Sequence, residues 1–180
     1  MGPELFDTLG AIVASTRSIA ALERSNLLEA VYSSDLLATD SEPASSRPAA
    51  RGRWFAGVLQ RLAGCSLVFA DPDKGLIDDD PQRRTRLRFG KQMPLSEAKA
   101  ISVGRTTIIY HHNTRRAGGH EQEIRHWQEL LGGGAIAVRA NACSCRTFFI
   151  VNPTPTIVKR AQAFCDQWAP HKVSFVEALT

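Results

Sequence analysis

Apolar residues recur along this chain with two different periods. The first is helical. Leu5, Phe6, Leu9, Ile12 and Val13 follow Pro3 at three- and four-residue steps, which predicts a first helix because proline near the opening turn forfeits no hydrogen bond. Ile19, Leu22 and Leu27 predict a second helical stretch. Trp54, Phe55, Val58, Leu59 and Leu62 mark an amphipathic helix that ends near Gly64. A short helix is expected over residues 95–101. Ile124, Trp127, Leu130 and Leu131 share one face of a further helix, bounded by Gly118-Gly119 and the glycine run 132–134. Thr154-Pro155 opens a last helix carrying Ile157, Ala161, Phe164 and Trp168.

The second period is that of extended chain. Leu67-Val68-Phe69-Ala70 is a short apolar run and reads as a buried strand, and Thr106-Thr107-Ile108-Ile109-Tyr110 is β-branched and aromatic. Residues 135–139, 147–151 and 173–176 supply three more candidate strands, and Ala30-Val31-Tyr32 a short early one. Residues 39–51, rich in Ser, Pro and Ala, read as a surface loop, and residues 77–92 as a polar connection. Strands alternating with helices predict an α/β fold, here a three-layer Rossmann-like sheet. It is expected to be largely parallel, with an antiparallel element near the C-terminus, and to form one domain over residues 1–180.

Composition narrows the class of protein. The chain has 180 residues, 43% of them hydrophobic and 22% charged, enough apolar material for a core. No apolar run is long enough to span a bilayer, and Glu4 and Asp7 interrupt the region where a signal peptide would be basic and then apolar. A cytoplasmic location without membrane partners is the expectation. Four cysteines at irregular spacing are too few for a disulfide framework, and Cys143-x-Cys145 has no second pair to complete a zinc site. The net charge of +4 favours an acidic partner such as nucleic acid or a nucleotide. Arg83, Arg84, Arg86, Arg88 and Lys91 follow the acidic run Asp78 to Asp80, and Arg115-Arg116 follow a histidine pair. These are either solvated loops whose charges partly cancel or a phosphate-facing rim.

Two strand ends carry the candidate chemistry. The first strand ends in Asp71-Pro72-Asp73-Lys74-Gly75, and in open α/β sheets ligands bind outside the carboxyl ends of strands. Asp71 and Asp73 could together hold Mg²⁺ or Mn²⁺; the alternative is a turn in which Gly75 supplies a positive φ. His111 and His112 close the next strand, where an imidazole could act as a general base or metal ligand. Because neighbouring strand residues face opposite ways, one of the two is expected to point into the crevice. His120, Glu121 and His126 could contribute from the next helix, but they lack the i, i+4 histidine spacing of a zinc helix. Dinucleotide, Walker and nucleophile-elbow motifs are absent. The candidate site thus comprises Asp71, Asp73, His111 and His112 as chemical groups, with Lys74, Lys91 and Arg115 contacting substrate.

The pairing of Asp71-Pro72-Asp73-Lys74-Gly75 with Tyr110-His111-His112, together with the Pro3-Glu4-Leu5-Phe6-Asp7 start and the Trp54-Phe55 helix, resembles a family of uncharacterised bacterial proteins. That family usually has Asn where Lys74 stands. Its longer relatives carry an N-terminal segment ahead of the counterpart of Pro3, and the resemblance implies that this chain is missing a strand or two, with part of a site, relative to them. A free sheet edge left in that way invites pairing between chains, hence a homo-oligomer.

From residue 66 onward the order of elements is similar to the C-terminal half of Rossmann-like class I methyltransferases. In the ribosomal-RNA adenine-N6 subgroup a strand ends in an Asp-Pro-Pro-Tyr-like motif that holds the target amine. Asp71-Pro72 matches its first half, and residues 148–153 are similar to a late strand of that subgroup. Asp73 and Lys74 depart from the second half, and no aromatic residue is present there to stack on a flipped base. The resemblance implies a methyltransferase-like domain acting on nucleic acid with S-adenosylmethionine as cofactor, although the glycine-rich loop for that cofactor is missing. The alternatives are a metal-dependent phosphodiesterase or nuclease-like enzyme built on Asp71, Asp73 and His111 or His112, and a non-catalytic interaction module or truncated remnant.

Overall fold

A computed structural model describes residues 3–16, 18–132, 134–142 and 144–179. The elements in chain order are α1 (Pro3–Ser15), α2 (Ile19–Arg24), α3 (Arg47–Arg61), β1 (Leu67–Ala70), β2 (Leu76–Ile77), β3 (Met93–Pro94), α4 (Leu95–Ile101), β4 (Thr106–His112), α5 (Gly119–Leu131), β5 (Ile136–Ala140), β6 (Arg146–Val151), α6 (Pro155–Trp168) and β7 (Val173–Val176). Short 3₁₀ turns span Leu87–Lys91 and Ala169–His171. Gly133, within the glycine run, and Cys143, half of the Cys-x-Cys pair, lie outside the described residues.

Five strands form one sheet in the order β1-β4-β6-β5-β7, and β2 pairs with β3 in a separate two-stranded piece. The expectation of a largely parallel sheet is corrected. Only β1 and β4 run parallel in the main sheet, whereas β4–β6, β5–β6 and β5–β7 are antiparallel. The reason is loop length. Residues 141–145 between β5 and β6 are too few for a crossover, so the two strands close as an antiparallel hairpin. The connection from β1 to β4 contains α4 and is long enough to return in parallel.

Helices cover both faces, giving three layers. On one face Val68, Ile109, Phe149, Val151 and Ala137 pack against Val58 of α3, Ala98 and Ile101 of α4, and Ile124, Trp127 and Leu131 of α5. On the other, Ile136, Val138 and Ile150 meet Ala161 and Cys165 of α6. α6 begins as its sequence predicts: Thr154 accepts a hydrogen bond from the Ile157 amide, and Pro155 occupies the first turn.

Three local expectations change. β1 is an edge strand rather than a buried one, with Val68 enclosed but Leu67 and Phe69 exposed. Ala30-Val31-Tyr32 forms no strand. Residues 47–51 belong to α3 rather than to a surface loop, and Arg51 is buried. The Arg51 guanidinium donates to Glu97 at 2.6 and 2.9 Å, to the Phe89 carbonyl at 2.9 Å and to the Gln92 carbonyl at 2.7 Å, tying α3 to α4 and to the turn between them. The remaining residues of that loop are anchored through Arg47, which donates to the Thr39 and Glu42 carbonyls and, at 2.7 Å, to that of Thr85.

Candidate functional site

Beyond Ala70 the chain leaves the sheet in a turn. The Gly75 amide donates to the Pro72 carbonyl at 3.0 Å, and Gly75 adopts φ +81°. Asp71 and Asp73 therefore sit on a turn and do not share the face of a continuing strand. The far side of the turn is held by two backbone bonds, Lys74 N–H to Lys91 carbonyl at 3.0 Å and Met93 N–H to Gly75 carbonyl at 2.9 Å. The first of these explains why Lys91, distant in sequence, lies beside the acidic motif; its ammonium stands 3.3 Å from the Asp73 carboxylate.

Asp71 is exposed at the rim, next to Asp73 and within the field of Arg146. Partial burial and the like charge of Asp73 raise its pKa above the usual carboxyl value, and Arg146 partly offsets them. Arg146 opens β6 directly opposite His112 of β4, which is why the antiparallel pairing delivers a cation to this strand end. Sequence reading overlooked Arg146 because nothing local announces a cross-strand partner.

The two histidines divide as strand alternation requires. His112 is exposed, with its Nδ1 3.4 Å from the Tyr110 hydroxyl. His111 is fully enclosed, packed edge-on to Trp127 and against Phe149. Both of its ring nitrogens are occupied: the Leu76 amide donates to Nδ1 at 3.0 Å, and Nε2 lies 3.2 Å from Glu123 Oε1. An imidazole so enclosed, with both nitrogens engaged, is not open to a substrate or an external metal ion, so the inward histidine belongs to the interior and not to the crevice. Burial lowers its pKa, against the opposing pull of Glu123, and keeps the ring neutral.

Glu123 is buried yet charged. Burial alone would raise its pKa, but hydrogen bonds from the Thr114 hydroxyl (2.6 Å) and amide (2.8 Å), and from His111, outweigh that and lower it. Sequence reading passed over Glu123, although a signal existed. It lies four residues before Trp127 and eight before Leu131, on the apolar face of α5.

Lys74 and Arg115 are exposed, Lys74 on the turn itself and Arg115 in the segment leaving β4. The structure therefore brings Asp71, Asp73 and Lys74 together at one turn, sets Lys91 against it from the 3₁₀ turn Leu87–Lys91, places His112 and Arg146 at the adjoining strand ends, and withdraws His111. Of the other helix candidates, His126 has its Nε2 3.8 Å from Asp78 Oδ1. Among the described residues no group of three His, Cys, Asp or Glu side chains is placed to hold a metal ion, and no helix is long and apolar enough to cross a membrane. No protein-family model matches the chain, and comparison with curated proteins and with solved structures likewise finds no match.

Proposed function

We propose that the chain is a methyltransferase-like domain acting on nucleic acid, in which the turn after β1 offers Asp71 to the target group and Lys74, Lys91, Arg115 and Arg146 meet phosphates. The observation that carries this reading is the position of Asp71. It stands just past the carboxyl end of β1, beside the parallel strand β4, with a carboxyl group poised by burial, Asp73 and Arg146. A carboxylate there can accept a hydrogen bond from an amine and orient it, while the surrounding cations attract a polyanion. S-adenosylmethionine would supply the methyl group. The described residues ahead of β1 are helices and irregular chain, not a strand with a glycine-rich turn. They do not fit that cofactor, and the chain accounts for the target side alone.

Fluorescence anisotropy with labelled RNA, single-stranded DNA and duplex DNA tests the reading. Binding at ~50 mM salt that weakens steeply as salt rises supports it, as does a several-fold loss on Lys74→Glu or Arg146→Glu. No binding to any of the three overturns it. Calorimetry with millimolar S-adenosylmethionine tests the chemistry separately, and the absence of both heat and a thermal shift removes methyl transfer from the reading.

A second reading, a metal-dependent phosphodiesterase, is favoured by the repulsion between Asp71 and Asp73, which a divalent cation would relieve. It ranks lower because a third ligand is wanting among the described residues and His111 is sealed away. Mn²⁺ binding that is unchanged in an Asp71→Asn, Asp73→Asn variant counts against it.

A further inference from the structure

We infer that His111 and Glu123 are positioning residues that set the conformation of the turn carrying Asp71, Asp73 and Lys74. The inference rests on the functional reading above only in what the turn is used for.

A continuous series of buried polar contacts runs from β6 to that turn. The Thr147 hydroxyl donates to Asn113 Oδ1 at 2.6 Å, and Asn113 Nδ2 lies 3.5 Å from Glu123 Oε2. Glu123 takes the Thr114 amide and hydroxyl and faces His111 Nε2, and His111 Nδ1 receives the Leu76 amide. Thr147, Asn113, Glu123 and His111 are all buried, so the bonds that link them to one another and to Leu76 are made where water cannot substitute, while Thr114 joins from the surface.

The directions of these bonds allow one tautomer. An amide N–H can only donate, so Nδ1 must be bare; Nε2 then carries the proton and donates to the carboxylate. With the proton on Nδ1 instead, two N–H groups would face each other and Glu123 would face a bare nitrogen. Glu123 thus selects the form of His111 that can hold Leu76.

Gly75 is fitted to the same ring. A Cβ there would stand 2.7 Å from His111 Cα and closer still to Nδ1, and φ +81° disfavours any side chain. The turn is consequently clamped on two sides, by His111 at Leu76 and by the Lys91–Met93 backbone at Lys74 and Gly75. Asp71 and Asp73 lie in the interval between β1 and this clamp. The separation in sequence between the two motifs is bridged by one imidazole.

Imidazole ¹⁵N shifts of the unaltered protein test the tautomer without any substitution. A bare Nδ1 and protonated Nε2 are expected at about pH 7; the opposite tautomer overturns the inference. Amide hydrogen exchange then tests the clamp. His111→Leu should reduce protection of the Leu76 amide by about ten-fold or more, the equivalent of one hydrogen bond at the upper end of its usual net range, while amides of β5 stay protected. His111→Asn, whose Oδ1 takes the place of Nδ1, should restore most of that protection. It should likewise restore the oligonucleotide affinity that His111→Leu loses. Undiminished Leu76 protection in His111→Leu, or no rescue in a folded His111→Asn, overturns the inference. Should Leu76 behave as expected while the unaltered protein binds no oligonucleotide, the positioning role stands and the nucleic-acid reading falls.

Discussion

At Gly75 two constraints coincide, a left-handed backbone and the imidazole of His111 in the space where a Cβ would go. Gly75→Ala is therefore expected to cost at least about 2 kcal/mol, seen as a lower urea midpoint at unchanged slope. Asp71 answers to its charged neighbours. Removing the like charge with Asp73→Asn should lower the Asp71 pKa toward 3.8, its ordinary value, and Arg146→Ala should raise it further; carboxyl ¹³C titration would read both. The His111–Glu123 pair sets an acid limit on stability. His111 titrates below 6.5, the ordinary histidine value, so on acidification the unfolded chain takes up a proton that the folded chain refuses. Stability is whole above 6.5 and falls below it by up to about 1.4 kcal/mol per pH unit, until the pH reaches the depressed value. Glu123 adds to this at lower pH: its contribution is present above 4.5 and is lost as pH falls through its depressed folded value. Denaturant midpoints from neutral to acid pH should show the slope, and His111→Asn should flatten its histidine part.

Among the elements, α3 and α4 are joined by more than apolar contact. Arg51 and Glu97 form a largely buried bidentate pair, and the guanidinium also binds two backbone carbonyls in and beside the 3₁₀ turn. Arg51→Met leaves a carboxylate and those carbonyls without their donor, and a loss of about 3–5 kcal/mol is expected. Arg51→Met combined with Glu97→Leu should lose less than the sum of the single variants, which a double-mutant cycle in urea would show. The helical period reaches Arg51, because Phe55, Val58 and Leu62 follow it at four, seven and eleven residues. The Ser- and Pro-rich stretch before it masked the start of α3. Elements with a strong period, α3 from Trp54 onward, α5 and α6, were legible in the sequence because burial of one face imposes that period. β1 was legible as a strand but not as an edge. A four-residue apolar run has the same appearance whether one neighbour pairs with it or two.

Across the whole molecule, the strand order decides which charges meet. β4 lies between β1 and β6, so the strand-end acids of β1, His112 and Arg146 assemble from three separate stretches of chain. If Lys74, Lys91, Arg115 and Arg146 all reach phosphates of a duplex, log affinity should fall with log salt at a slope of about −3 to −4. Each charge removed should reduce that slope by about one, as binding isotherms at several salt concentrations would show. The sequence alone determined that the chain alternates helices and strands and that two strands end in acids and histidines, and it offered a turn at Gly75 as one of two readings of the acidic motif. These follow from local periodicity and backbone sterics, which act over a few residues. Tertiary structure alone decided that one strand pair is parallel and three are antiparallel, that His111 faces inward to Glu123 while His112 faces out, and that Arg146 joins Asp71. Those outcomes depend on pairing and burial between residues far apart in the chain, and no local pattern records them.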